Sequence, residues 1–239
     1  MNEEFSELQA VDFAFGAFIA GAYQGLNKSV GPKGYREFLS RSIDRQIFRH
    51  DADSPMDFLK AMQSDTGNQR EVAGKSTNSF PLPLIYYYRK PGFTNGVEGQ
   101  ATRQALRFAE GKIVDGVQSE PSNLYRLLVL PVVLEYKINI LAWDKPTLDK
   151  ISLVWYAYTR RNDKFECSYQ IGEDPFDAPA HIQDNKSVLL ADSSIPPSNG
   201  NSRVYAVQAT VQVETDIICG SGVAFKDPIT IIFCKDVMY

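Results

Sequence analysis

The sequence predicts an α+β fold: a single domain with a mostly antiparallel sheet, one helix packed across it and a helical N-terminal extension. Three observations carry this. RLLVLPVVLEYKINILA (126–142) is β-rich and long, and Glu135, Lys137 and Asn139 alternate with Leu134, Tyr136, Ile138 and Ile140. That pattern gives a strand with one wet and one buried face. After a turn at Asp144–Pro146, the residues Leu148, Ile151, Val154, Trp155 and Tyr158 recur at helical spacing and form one apolar stripe. FECSYQI (165–171) and RVYAVQATVQVETDII (203–218) then return as strands, the latter in clean alternation that predicts antiparallel pairing. The order is βαββ.

The preceding elements follow from local signals. Residues 5–26 have helical texture, with Ala17, Gly21 and Gly25 at four-residue spacing, a small-residue stripe along which another backbone can approach. Such a helix either docks on its own core or packs as an arm on a neighbouring subunit, with Phe13, Phe15 and Phe18 as apolar area beside the stripe. Gly31, Pro32 and Gly34 break it, and Tyr35–Phe48 resumes helical spacing through Phe38, Leu39, Ile43 and Ile47. A short helix starts at SPMDFLKAMQ, with Ser54 as N-cap and Pro55 in the first position. Residues 64–79 are polar and read as a loop. FPLPLIYYYRK (80–90) is strand-like; Pro81 and Pro83 confine its start to an edge or the beginning of a sheet strand. Its middle tyrosine, Tyr87, points opposite to Tyr86 and Tyr88.

Residues 91–122 are the least regular long segment. Ala101–Glu110 within it reads as a helix carrying Arg103 and Arg107 on one side. Later, 172–185 reads as a Pro/Asp-rich loop, 187–191 as a short strand, 193–202 as an exposed connection and 229–234 as a C-terminal strand. The organisation is therefore 1–79, helical extension and loop, followed by 80–239, an α+β core with an irregular insertion at 91–122.

Composition bounds the function. With 239 residues, 44% of them hydrophobic and 23% charged, the chain can bury one sizeable core. A net charge of −4 argues against a protein whose main work is gripping nucleic-acid phosphates. Cys167, Cys219 and Cys234 are widely spaced, without a CxxC pair, as expected of reduced and mostly buried thiols. The apolar run VDFAFGAFIAGAY (11–23) contains Asp12, is too short to span a bilayer and follows acidic residues, so it reads as neither membrane span nor targeting segment.

Catalytic patterns are not found. His50 in RHDAD has no second histidine at ligand spacing and reads as a solvated helix end. His181 has no nucleophile elbow to serve. Gly74–Ser76 (GKS) lacks the first glycine of a phosphate-binding loop, and no helix follows the Gly220–Gly222 turn as a dinucleotide site requires. The expectation is no metal, no cofactor and no enzyme activity. The tyrosine run invites a base-stacking reading, but packing on both faces of a strand is its ordinary role.

The order of a proline-marked strand (FPLPLIYYYRKPGF), a long strand (PVVLEYKINILA), the helix KPTLDKISLVWYAYTRR and a strand pair resembles the tail-completion or sheath-stabilising terminator proteins of contractile-tailed bacteriophages. The resemblance covers about residues 80–218 and lies in element order and texture; the first 79 residues and the 91–122 segment depart from it. It implies a virion protein that forms a hexameric ring, caps the tail tube and sheath, meets the neck and lets DNA pass through its lumen. On that reading Phe13, Ala17, Phe18, Gly21, Gly25, Arg103 and Arg107 are the expected subunit-interface residues. Two other classes stay open: another neck or baseplate component, and a small αβ ligand-binding or nucleic-acid-associated module.

Overall fold

The computed structural model describes residues 7–67, 82–96, 103–108, 113–114, 117–118, 124–171, 174–184, 190–196 and 203–222. Along the chain these form α1 (Glu7–Gly21), α2 (Lys33–Ser40), a 3₁₀ turn (Ile43–Arg45), β1 (Ile47–Arg49), α3 (Pro55–Gly67), β2 (Leu84–Arg89), β3 (Thr94–Asn95), β4 (Arg103–Phe108), β5 (Ile113–Val114) and β6 (Val117–Gln118). Then follow β7 (Leu124–Ala142), α4 (Lys145–Thr159), β8 (Lys164–Ile171), β9 (Asp174–Gln183), β10 (Leu190–Asp192) and β11 (Tyr205–Gly222). The expected C-terminal strand at 229–234 and the loop at 68–79 lie outside the described residues.

One nine-stranded sheet dominates, with the path β1-β2-β7-β11-β9-β8. β3 and β4 also pair with β7, and β10 with β11. Every pairing in it is antiparallel except β1 with β2. Its spine is β7 against β11, paired from Tyr205↔Ala142 to Gly222↔Tyr125 without a slip.

The sheet curls around α1. The Phe15 ring lies 5.9 Å from that of Tyr87 on β2 and 6.1 Å from that of Phe165 on β8. Those two rings are therefore within about 12 Å, whereas the four strand spacings separating β2 from β8 would span about 19 Å in a flat sheet. α1 fills the trough so formed. α4 packs beside it on β7 and β11, and α2 packs on α4. The even-numbered residues of β7 from Leu134 to Ala142 point into this inner core with Trp155, Phe15, Phe38 and Tyr87. α3 lies on the other side, where Phe58 stacks on Tyr86 at 4.2 Å, with Leu84, Tyr88, Leu141 and Ala206 around it.

Several local expectations are met. Asp144 caps α4 by accepting a hydrogen bond from the Thr147 amide at 2.9 Å, and Pro146 sits in the first turn. Ser54 caps α3, accepting from the Asp57 amide at 3.1 Å. Tyr87 faces inward while Tyr86 and Tyr88 face α3.

Others are corrected. The helix expected over Tyr35–Phe48 ends at Ser40: the Arg41 backbone turns extended (ψ 160°), its guanidinium donates to the carbonyls of Leu82 and Pro83, and the chain passes through the 3₁₀ turn into β1. His50 accordingly follows a strand, not a helix, and its amide donates to the Tyr87 carbonyl at 3.1 Å. The expected loop at 172–185 contains β9. Ile182 N donates to the Asp163 carbonyl, so even-numbered amides of β9 face β8; odd-numbered groups face β11, as Pro179 O does in accepting from Thr215. β11 pairs with β9 only from Ala180 to Gln183, so Pro175 and Pro179 withhold amides that no ladder needs. The expected helix at Ala101–Glu110 is β4, an antiparallel partner of β7. Finally, the face of β7 read as wet is covered where α3 and the neighbouring strands meet it: Asn139 is fully buried and accepts from Gln208 Nε2 at 2.9 Å.

Candidate functional site

α1 is apolar nearly all round, as suits a helix enclosed by a sheet. Asp12 is the exception. It is only 1% exposed and receives three charged or phenolic donors. Arg49 Nη2 lies 2.6 Å from its Oδ2, Arg89 Nε 3.0 Å from its Oδ1, and the Tyr136 hydroxyl donates to Oδ1 at 2.6 Å. Strand register places these donors. Arg89 is the cross-strand partner of Tyr136, and Arg49 that of Tyr87, so all four stand on the side that faces α1. The Tyr87 hydroxyl donates to the Asp12 backbone carbonyl at 3.0 Å. That approach needs a glycine one turn on: a Cβ at Gly16 would lie 2.3 Å from the Tyr87 oxygen.

The charges do not balance. Two guanidinium groups face one carboxylate, leaving a local excess of one positive charge. Burial and the Asp12 charge push the Tyr136 phenol far up from its usual range. Burial raises Tyr87 to about 12, with the Asp12 charge adding to the rise and Arg49 opposing it. Both phenols stay neutral donors at ordinary pH. Arg49 also lies over the Phe13 ring, 5.7 Å from its centroid.

A second polar centre lies across the sheet. Glu214 on β11 is 4% exposed; its Oε2 accepts from Gln183 Nε2 at 2.8 Å and lies 3.2 Å from His181 Nε2. Near α3, the Tyr86 hydroxyl, Asn139 Nδ2 and His50 Nδ1 are buried without a hydrogen-bond partner among the described residues. Among the described residues no group of three His, Cys, Asp or Glu side chains is arranged to hold a metal ion. Burial raises the Cys167 thiol to about 11, which keeps it protonated and unreactive.

The expected interface residues separate into groups. Phe13, at 52% exposure, and Ala17 are exposed on α1. Phe18 is buried in the chain's own core against Trp155, Tyr158 and Phe165. Gly21 faces Tyr158, whose oxygen would lie 2.8 Å from a Cβ there. The groove expected for a neighbouring subunit at Phe18 and Gly21 is thus occupied by α4 and β8 of the same chain. Gly25 is exposed in the left-handed region (φ +71°) with open space around it. Arg103 and Arg107 lie in β4 opposite Val129 and Tyr125; their side chains are outside the described residues.

Sequence reasoning did not find Asp12 as a hub. The available signal was one carboxylate in an otherwise apolar helical run, with an arginine closing each of IFR and IYYYR. Compared with known protein families and with curated proteins, the sequence matches none.

Proposed function

We propose that this chain is a structural subunit of a contractile bacteriophage tail, forming a six-membered ring that ends the tube and sheath and meets the neck, with no enzymatic role. One observation carries the reading: β7, α4, β8 and β11 supply the long strand, the capped helix lying on it and the two returning strands whose order motivates the resemblance, with β9 and β10 inserted between the last two. Taking these four as the βαββ core, the dimensions suit a ring subunit. β7 has 19 residues and α4 has 15, so the strand runs about 60 Å against about 22 Å of helix. The β7–β11 ladder therefore projects well beyond α4, and a projection on a fixed body is what a heterologous, closing contact uses. The three tyrosines of β2 are buried, which removes the surface that base stacking would need.

Native mass spectrometry and negative-stain imaging, with and without purified tail tubes, test the proposal. Six-subunit rings are the expected result; a chain that stays monomeric even on tubes overturns it. Ala17→Arg, on the exposed side of α1, is the interface variant of choice. It should leave the monomer within about 0.5 kcal/mol of wild type and block ring closure if α1 meets a neighbour.

A further inference from the structure

Arg49 and Arg89 are more than a clip for α1. Arg89 reaches Asp12 through Nε, so both of its terminal amino groups lie outside that contact. Arg49 reaches it through Nη2, leaving Nη1 and Nε outside, with its Cζ over the Phe13 ring. Among the described residues neither arginine pairs with a second carboxylate. Their side chains are 39% and 19% exposed, whereas that of the carboxylate they share is 2% exposed. Two guanidinium groups bound to the two oxygens of one buried carboxylate are held close and in fixed orientation. One charge stays uncompensated, in surroundings drier than open water, where an arriving anion is attracted more strongly.

We propose that Arg49 and Arg89, braced from within by Asp12, form a cradle for an oxyanion of the phosphate type. Guanidinium forks match the spacing of two oxygens on one phosphorus or carboxyl carbon, and a paired fork gives several charge-assisted bonds at once. The ion sits on the outer side of the pair, and its charge neutralises the excess that Asp12 leaves. The inference does not depend on the ring: a free phosphate ion or a phosphomonoester carries the same chemistry to the cradle.

Equilibrium dialysis of the full chain with radiolabelled inorganic phosphate reads the site directly. One saturable site per chain, with a dissociation constant of about 10 mM or tighter, is expected, and Arg89→Gln and Arg49→Gln should each weaken it about tenfold or more. Competition by sulfate but not acetate assigns the cradle to tetrahedral oxyanions; stronger competition by acetate assigns it to carboxylates and overturns the phosphate assignment. Should either variant fail to fold, the wild type suffices. Phosphate should then shield Arg49 and Arg89, and not the remaining arginines, from phenylglyoxal, as read by peptide mass spectrometry. No saturable binding, unchanged binding in folded variants, or protection confined to other arginines overturns the proposal.

Discussion

The Asp12 hub and the α3 side of the sheet bury polar groups in different ways. On the inner side every polar atom of the Asp12 carboxylate meets a donor, and the tyrosines that approach α1 spend their hydroxyls on it. On the α3 side, Tyr86 stacks face to face on Phe58, yet its hydroxyl and the neighbouring Asn139 amide nitrogen have no partner among the described residues. The inner side gains specificity from a satisfied network, because the donors fit only one rotation and height of α1. The outer side gains apolar contact and carries the cost of unsatisfied groups, as does α4 on the inner side, where Thr147 Oγ1, Ser152 Oγ and Trp155 Nε1 are buried without a partner among the described residues. The comparison places α1 in the trough: of the two expectations for this helix, docking on its own core or packing as an arm, the first describes its buried face.

The largest effects should come from the inner side. Asp12→Ala leaves Arg49 and Arg89 without their carboxylate and the buried Tyr136 hydroxyl without its acceptor, and should cost about 3–5 kcal/mol in urea unfolding. Trp155→Ala, emptying the fully buried site between α1 and β7, should cost a similar 3–5 kcal/mol, about what other large aromatic truncations cost. A loss below about 0.5 kcal/mol for either would place that residue at a surface and break the comparison.

Gly16→Ala should cost about 1–3 kcal/mol, since the added methyl must displace the Tyr87 ring from the Asp12 carbonyl. Circular dichroism melts of Gly16→Ala alone and with Tyr87→Phe sharpen this. Removing the hydroxyl relieves the closest contact, so the two losses should not add.

Alkaline pH acts on the same side. Tyr87 and Cys167 keep their protons to about 12 and about 11 in the folded chain, above the ordinary values of 10.0 and 9.0. An acid whose folded value is raised contributes stability that is whole below its unfolded value and lost as pH rises through the folded one. Denaturation midpoints should therefore hold up to pH 9 and fall progressively toward pH 12. A flat profile would mean that these groups are open to water.

The smallest effect belongs to the α3 side. Tyr86→Phe removes a buried hydroxyl that bonds to nothing while keeping the stack on Phe58, and should change stability by less than about 1 kcal/mol, in the stabilising direction if at all. A loss of 2 kcal/mol or more on that order-of-magnitude scale would show that the hydroxyl has a partner and that the α3 side is like the Asp12 hub.

Much of this was legible in the sequence because it is local. The Asp144 cap, the stripe through Trp155 and the opposite orientation of Tyr87 each depend on residues within one or two turns or strand steps. β9 was hidden because prolines at 175 and 179 signal a loop, and only the short reach of its pairing with β11 makes them harmless. The helix over Tyr35–Phe48 was overextended because Ile43 and Ile47 fit helical spacing equally well, while Arg41 is drawn away by carbonyls more than 40 residues on. Asp12 was invisible as a hub for the same reason: its partners lie 37, 77 and 124 positions away. No pattern within a window reports that a lone carboxylate in an apolar helix will meet two arginines.

Native-state hydrogen exchange of the α1 amides tests the central claim most directly. If α1 is locked into the trough through Asp12, the amides of residues Phe15–Ile19 should exchange only with global unfolding, as slowly as those of Leu134–Ile140 on β7. If α1 is a detachable arm, those amides will exchange by local opening while β7 stays protected, and that result would contradict the account.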